Sequence, residues 1–194
     1  MRLLLTGFEP FGGSDINSSW ETASRIRMQS LDGVNLEVRQ LPVSFKRVGD
    51  HVRGLLHELQ PDVLVMLGQR ASAQSIDVER IAVNLMDAAK TDNDGFSPEE
   101  EPVYGGGEAA YFSNLPVKEL RDALLETGVA SKVSNSAGLY VCNCAYYSAL
   151  HAIRQMNLPT KVVFLHLPKL SEDFPFEKMA TAVCTIIEKI KLTI

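Results

Sequence analysis

The sequence has few cysteines, no excess of positive charge and no long apolar run, and each shortage excludes a class of protein. Three cysteines in 194 residues is an odd number, and Cys142 and Cys144 lie too close together to form a comfortable disulfide within a helix. We therefore expect a reducing, cytoplasmic location rather than a disulfide-linked secreted domain. The net charge of −5 offers no basic surface for nucleic acid or for an anionic membrane. The apolar start of the chain ends at Thr6, so we expect neither a signal peptide nor a membrane span.

Hydrophobic residues make up 45% of the chain, and they form alternating strand and helix patterns. Strands are predicted at 3–6, 34–38, 63–67, around 81–85, near 133 and at 161–167; helices are predicted at 18–28, 45–59, 116–128, 142–157 and after 176. This order predicts an α/β fold with a single domain, built on an open, twisted, mostly parallel sheet with helices on both faces. A strand of mixed direction is expected near Ile81. The acidic segment 86–113 has no sustained periodicity, and a loop this long is usually functional or mobile.

One thiol and one imidazole occupy positions where they can meet. Cys142 follows the turn 136–141 and begins a predicted helix, and His166 lies at the end of the following strand. In an open α/β sheet, ligands bind at the carboxyl ends of parallel strands, where the helix starts also lie. We therefore expect the loops at 8–13 and 68–79 to converge there with Cys142 and His166. A cysteine paired with a histidine in this way is a candidate nucleophile with its base.

Activation of the thiol requires help from its surroundings. A free cysteine titrates near 8.5, so only about 3% is thiolate at neutral pH. The helix start and a protonated imidazole together favour a thiolate–imidazolium pair at Cys142 and His166. A third group is expected to orient the imidazole, and Glu79 is the best-placed carboxylate. Asp77 and Asp92 are weaker candidates for that role.

Structural explanations compete with each of these assignments. Free cysteines are most often small buried hydrophobic residues, and Cys144 and Cys184 are expected to pack in this way. Glu79 could instead be a solvated charge or a partner for Arg80. The cysteines and histidines lack zinc-ligand spacing, so no metal site is predicted. The glycine runs match no phosphate-binding motif, which leaves turn geometry as their explanation and no cofactor predicted.

Five segments spread along nearly the whole chain carry a family resemblance. They are Thr6-Gly7-Phe8-Glu9-Pro10-Phe11-Gly12-Gly13, Asn17-Ser18-Ser19-Trp20-Glu21, Glu79-Arg80-Ile81-Ala82-Val83-Asn84, Ala110-Tyr111-Phe112-Ser113-Asn114-Leu115-Pro116 and Ser136 to Asn143. Together they resemble the type I pyroglutamyl peptidases, also called pyrrolidone-carboxylate peptidases. The resemblance implies a cytoplasmic cysteine peptidase that removes an N-terminal pyroglutamyl residue, usually as a homotetramer. It implies a catalytic triad of Glu79, Cys142 and His166, in agreement with the chemical argument.

The same resemblance implies a substrate pocket. Its expected lining consists of the opening-loop phenylalanines and three further residues: Phe8, Phe11, Asn17, Gln69 and Tyr140. Pyroglutamate is an uncharged lactam, so a small apolar slot with a few polar groups should accept it and reject a charged amine.

Two positions depart from the family pattern. Cys144 stands where a histidine is common, and Ala89, followed by Lys90, stands where an arginine is often found. These departures keep a non-catalytic binding module open as an alternative. A nucleoside phosphorylase-like enzyme, suggested by the α/β pattern and the glycine-bearing loops, is a second alternative.

Overall fold

The computed structural model describes every residue from Met1 to Ile194. Eight strands are present: β1 Arg2–Phe8, β2 Asn35–Leu41, β3 Val63–Gln69, β4 Ile76–Glu79, β5 Ile81–Val83, β6 Ala110–Phe112, β7 Ser131–Ser134 and β8 Lys161–Leu167. The five helices are α1 Ser18–Ile26, α2 Phe45–Leu59, α3 Val117–Glu126, α4 Val141–Gln155 and α5 Phe176–Lys191. None of them combines the length and the hydrophobicity needed to cross a bilayer.

Six strands form the central sheet in the order β2-β1-β3-β8-β4-β7. Neighbouring strands pair in parallel except β4 and β8, which pair antiparallel. Residues from α1, α3 and α5 pack on one face, and residues from α2 and α4 pack on the other. The predicted open, mostly parallel α/β sheet covered on both faces is therefore confirmed.

The strand of mixed direction is β4, and its prediction near Ile81 was wrong. β5, which contains Ile81, pairs only with β6 in a separate two-stranded sheet. Residues 76–79 were expected in a loop because Asp77 and Glu79 interrupt the apolar pattern, yet all four are buried. The connection from β3 to β4 spans only residues 70–75, and a parallel crossover needs a dozen or more residues, so β4 runs in the opposite direction.

β7 pairs in parallel with β4 and therefore also runs against β8. The strand before Cys142 therefore does not end at the sheet edge where β8 ends. The turn after β7 carries the chain back towards the site, where α4 begins at Val141.

Two features of the helices could not be settled by residue spacing. The cap of α1 is Asn17, the residue before the predicted helix start, and its side chain accepts the Ser19 N–H. The apolar stripe of α5 could have faced the core or another subunit. In the structure it is buried within the chain, with Met179, Val183 and Ile187 at 0% exposure.

The long acidic segment between β5 and β6 is attached to the rest of the fold. Asp92 is buried, and its carboxylate accepts the backbone N–H groups of Phe45, Asp94 and Phe96 at 2.8–3.0 Å. Asp94 in turn accepts two hydrogen bonds from the guanidinium of Arg47. These contacts fix the segment against the start of α2, and they assign Asp92 a structural position away from the imidazole.

Candidate active site

His166 and Glu79 form a buried pair between two adjacent strands. Nδ1 of His166 on β8 lies 2.7 Å from Oε1 of Glu79 on β4, and both residues are almost completely buried. Asp77, two residues before Glu79, lies directly opposite His166 in the antiparallel register. Since alternate residues of a strand share a face, this register places both carboxylates and the imidazole on the α4 side of the sheet.

Cys142 and His166 line the same cavity, which has a volume of about 350 Å³. Cys142 is the second residue of α4 and is half-buried. Glu79 lies outside the lining and contacts His166 from behind. The three residues predicted from the sequence are thus gathered in one place, with the thiol and the imidazole facing the space that a ligand would occupy.

Gly68 makes room for the sulfur. It lies on β3, directly beside His166 in the register of β8. A Cβ atom at this position would lie 3.0 Å from Sγ of Cys142 and 2.7 Å from the ring of Phe164. Only glycine therefore allows the sulfur and the Phe164 ring to approach the strand this closely.

Gly68→Ala is expected to lower kcat about 10- to 100-fold, because the added methyl must displace the sulfur or the Phe164 ring and small misplacements of reacting groups are costly. Gly54→Ala is the matched control: this α2 position has no atom within 4 Å of the added methyl. It should leave kcat unchanged and raise the free energy of unfolding by about 0.5–1 kcal/mol. Steady-state kinetics measures kcat and urea denaturation measures the free energy of unfolding of both variants. An unchanged kcat in Gly68→Ala would contradict the packing argument.

Burial acts against the charged forms of both Cys142 and His166. Burial raises the pKa of the Cys142 thiol to about 12, although the charge of Arg70 acts in the opposite direction. Burial also lowers the pKa of His166, while its hydrogen bond to Glu79 raises it. Burial thus acts against the thiolate–imidazolium pair predicted from the sequence, whereas Arg70 favours the thiolate and Glu79 favours the imidazolium.

All five residues expected to contact the substrate line the cavity. Phe8 is buried, and the Phe11 ring packs 6.1 Å from the Tyr140 ring. Asn17 and Gln69 also stabilise the start of α1, since the Gln69 side-chain oxygen accepts the Ser18 N–H at 2.8 Å. The Tyr140 hydroxyl donates to the carbonyl of Thr91 at 2.9 Å, which connects the cavity wall to the long acidic segment.

Comparison with known proteins identifies the family. The family model described as pyroglutamyl peptidase matches residues 1–194. The chain belongs to the pyroglutamyl peptidase family. A pyrrolidone-carboxylate peptidase of Thermococcus onnurineus is 44% identical over 183 residues, covering 93% of this chain and 91% of the relative. One of Clavibacter michiganensis is 40% identical over 193 residues, covering 95% and 90%.

Solved structures of the pyroglutamyl peptidase family share the whole fold. A mutant (A199P) pyrrolidone carboxyl peptidase from P. furiosus superposes with a TM-score of 0.93 at 35% identity, covering 97% of each chain. Pyroglutamyl peptidase I of Bacillus amyloliquefaciens superposes with a TM-score of 0.88 at 30% identity, covering 95% of this chain and 94% of that one.

Arg70 is a residue of this pyroglutamyl peptidase site that sequence reasoning missed. Its guanidinium contacts both Asp77 and Glu79, whereas the side chain of Arg80, the neighbour considered as a partner for Glu79, contacts neither. Asp77 does not reach the imidazole as an alternative orienting group; it binds Arg70 and the Ser75 hydroxyl. The available signal was the pair of carboxylates two residues apart on a buried strand, which requires a nearby cation.

Proposed function

We propose that this protein is a cysteine peptidase that removes an N-terminal pyroglutamyl residue from peptides. The observation that carries the proposal is a cavity holding a thiol and a carboxylate-bound imidazole, in a chain of the pyroglutamyl peptidase family. Cys142 is the proposed nucleophile, His166 the acid–base group and Glu79 the residue that orients His166.

The cavity suits a small uncharged ring. Its walls are mostly apolar, formed by Phe8, Phe11, Val43, Tyr140 and Val141, and Asn17 and Gln69 add amide groups. The lactam N–H and C=O of pyroglutamate need only a few polar partners, and its ring fits between apolar walls. A free α-ammonium group would lose its hydration there without gaining a compensating charge, so ordinary N-termini are excluded.

In the proposed reaction, the sulfur of Cys142 attacks the pyroglutamyl carbonyl carbon while His166 accepts the thiol proton. His166 then donates this proton to the departing amine as the C–N bond breaks, which leaves a thioester on Cys142. Water, deprotonated by His166, attacks the thioester and releases pyroglutamate. Glu79 binds Nδ1 throughout and stabilises the imidazolium without accepting its proton.

The start of α4 supplies candidate donors for the oxyanion. The N–H groups of the first helical turn lack intrahelical acceptors. The N–H groups of Asn143 and Cys144 donate to the carbonyl of Tyr140, the cap residue before the helix. The N–H groups of Val141 and Cys142 are therefore the ones available to bind the oxyanion.

A wider groove adjoins the cavity and provides space for the rest of the peptide. It shares Phe11, Gln69, Ala71 and Tyr140 with the cavity and also runs past Lys90 and Lys169. This continuity supports cleavage of peptides rather than of a fully enclosed small molecule. Lys90 on this groove is the cation next to Ala89, where family members often have an arginine.

The proposal is tested with a pyroglutamyl-coumarin substrate and a matched glutaminyl-coumarin substrate bearing a free amine. We expect release of coumarin from the first and a kcat/KM for the second lower by about 100-fold or more, owing to desolvation of the charged amine. Phosphate-dependent cleavage of nucleosides without peptidase activity would select the phosphorylase alternative. Tight pyroglutamate binding without a thioester in intact-protein mass spectrometry would select the binding module.

We further propose a cytoplasmic homotetramer with no cofactor or metal and with no nucleic acid or membrane partner. The three free cysteines support a reducing location, and Phe112, which is 67% exposed on β6, supports contact with another subunit. Light scattering over a dilution series is expected to give a tetramer mass, and a constant monomer mass would contradict the assembly.

A further inference from the structure

Arg70 connects three segments that build the proposed site. It follows β3, and its guanidinium donates to Asp77 Oδ2 at 2.6 Å and to Glu79 Oε1 at 3.0 Å, both on β4. It also donates to the carbonyl of Ser136 at 2.8 Å. Ser136 begins the turn that leads into α4 and Cys142. One planar cation is therefore bonded both to the carboxylate behind the imidazole and to the chain just before the nucleophile.

Glu79 depends on this guanidinium for its position. Its Oε1 accepts from Arg70 and lies against Nδ1 of His166, while its Oε2 is buried and has no hydrogen-bond partner. Without Arg70, the imidazole would be the only group bonded to a fully buried carboxylate. Removing one member of a buried ion pair leaves an uncompensated charge, so the carboxylate would no longer be held in place beside the imidazole.

Arg70 also faces the nucleophile. It lines the cavity together with Cys142 and His166, and its positive charge lowers the pKa of the thiol against the effect of burial. The other titratable groups that line the cavity are His166 from β8 and Tyr140 before α4. The charge of Glu79, from β4, acts on the sulfur against that of Arg70. Asp77 of β4 contacts the guanidinium of Arg70. Lys132 of β7 lies 3.7 Å from Asp77 but is largely exposed. Arg70 is thus a cation that both lines the cavity and contacts the two carboxylates.

We propose that Arg70 is a positioning residue for the reaction, which ties Glu79 to the turn before Cys142 and so keeps the base and the nucleophile aligned. Asp77, which does not line the cavity, anchors the guanidinium. The inference rests on the proposed function but concerns a residue that contacts neither the scissile bond nor the reacting atoms.

The main test compares Arg70→Gln with Arg80→Gln, which removes the same charge from the residue next to Glu79. Arg70→Gln is expected to lower kcat about 10- to 100-fold through misalignment, with KM within threefold of the unmodified protein. Arg80→Gln should leave both constants within twofold. Equal kinetics of the two variants would overturn the proposal.

A second readout separates alignment from general loss of structure. Alkylation of Cys142 by iodoacetamide, followed by peptide mapping, needs no peptidase activity. In Arg70→Gln its pH profile should move to higher pH, because the guanidinium no longer favours the thiolate. The proposal would be overturned if the pH dependence of Cys142 alkylation were unchanged and the loss of kcat simply matched the fraction of unfolded protein. Arg70 would then have a structural role only.

Two further variants address the case in which Arg70→Gln does not fold. Arg70→Lys keeps the charge but cannot offer a planar fork to three acceptors, so it should fold and still lose activity. Arg70→Ala should regain part of its kcat in millimolar guanidinium chloride. Activity of Arg70→Lys equal to that of the unmodified protein would overturn the geometric argument. Absence of pyroglutamyl hydrolysis in the unmodified protein would refute the proposed function instead, and the alkylation profiles would still report on Arg70.

Discussion

Cys142→Ala is expected to eliminate hydrolysis of a pyroglutamyl-coumarin substrate, with a loss in kcat of roughly 10⁴-fold or more. The variant retains the cavity walls and the imidazole–carboxylate pair, yet it has no atom that can form the thioester. Calorimetry should show that it still binds pyroglutamate, because the apolar walls and the amide groups of the cavity are unchanged. End-point assays at high enzyme concentration set the limit of detection for residual hydrolysis.

Cys144→Ala is the matched control for this loss. Its sulfur lies two residues further along α4, is buried and contacts the carbonyl of Phe45 rather than the cavity. Removing it should cost about 1 kcal/mol or less in the free energy of unfolding and leave kcat unchanged. Retention of more than one tenth of the activity in Cys142→Ala would end the assignment of the nucleophile.

Glu79→Gln is expected to lower kcat about 10²- to 10⁴-fold while preserving the volume of the side chain. A glutamine amide can donate to Nδ1 of His166 and so stabilise the tautomer whose other nitrogen carries the proton and cannot accept one from the thiol. Glu101→Gln, at an exposed position outside the site, serves as the control and should have no effect.

The pH dependence gives this variant a specific signature. Burial lowers the pKa of His166 and Glu79 raises it, so loss of the carboxylate lowers this pKa further. The acid limb of the pH profile of kcat/KM reports protonation of the free base. Its midpoint should therefore lie below the ordinary imidazole pKa of about 6.5. In Glu79→Gln the midpoint should move to still lower pH. A shift to higher pH would contradict the proposed contact.

Much of the fold is predictable from local pattern, because the relevant residues are apolar and periodic. The predicted helix over 45–59 and the strand over 161–167 match α2 and β8. β4 was not predicted because its carboxylates obscure the alternation of Ile76 and Val78. Their burial depends on contacts with Arg70, in the preceding loop, and with His166, which is 87 residues from Glu79 in the sequence. Chain direction in β4 and β7 also depends on pairing partners, which local pattern does not specify.

The site likewise combines residues that local sequence predicts with residues whose roles depend on three-dimensional contacts. Cys142, His166 and Glu79 could be proposed as a group from residue types and element ends, together with the family resemblance. The role of Arg70 could not, since an arginine in a loop carries no periodic signal and its acceptors lie on two separate segments, β4 and the turn at Ser136. Asn17 and Gln69 likewise combine cavity lining with capping of α1, a double use that only the three-dimensional contacts reveal.

The position of β8 in the sheet has a consequence for biosynthesis. It follows the other seven strands in the sequence, yet it lies in the middle of the sheet, between β3 and β4. A growing chain on the ribosome thus contains the sulfur well before the imidazole, and the sheet cannot close around the carboxylate until residues 161–167 emerge. Such sequence-distant pairing forms late in folding. The nascent polypeptide consequently remains without its proposed base, and so without the proposed activity, until β8 has been synthesised.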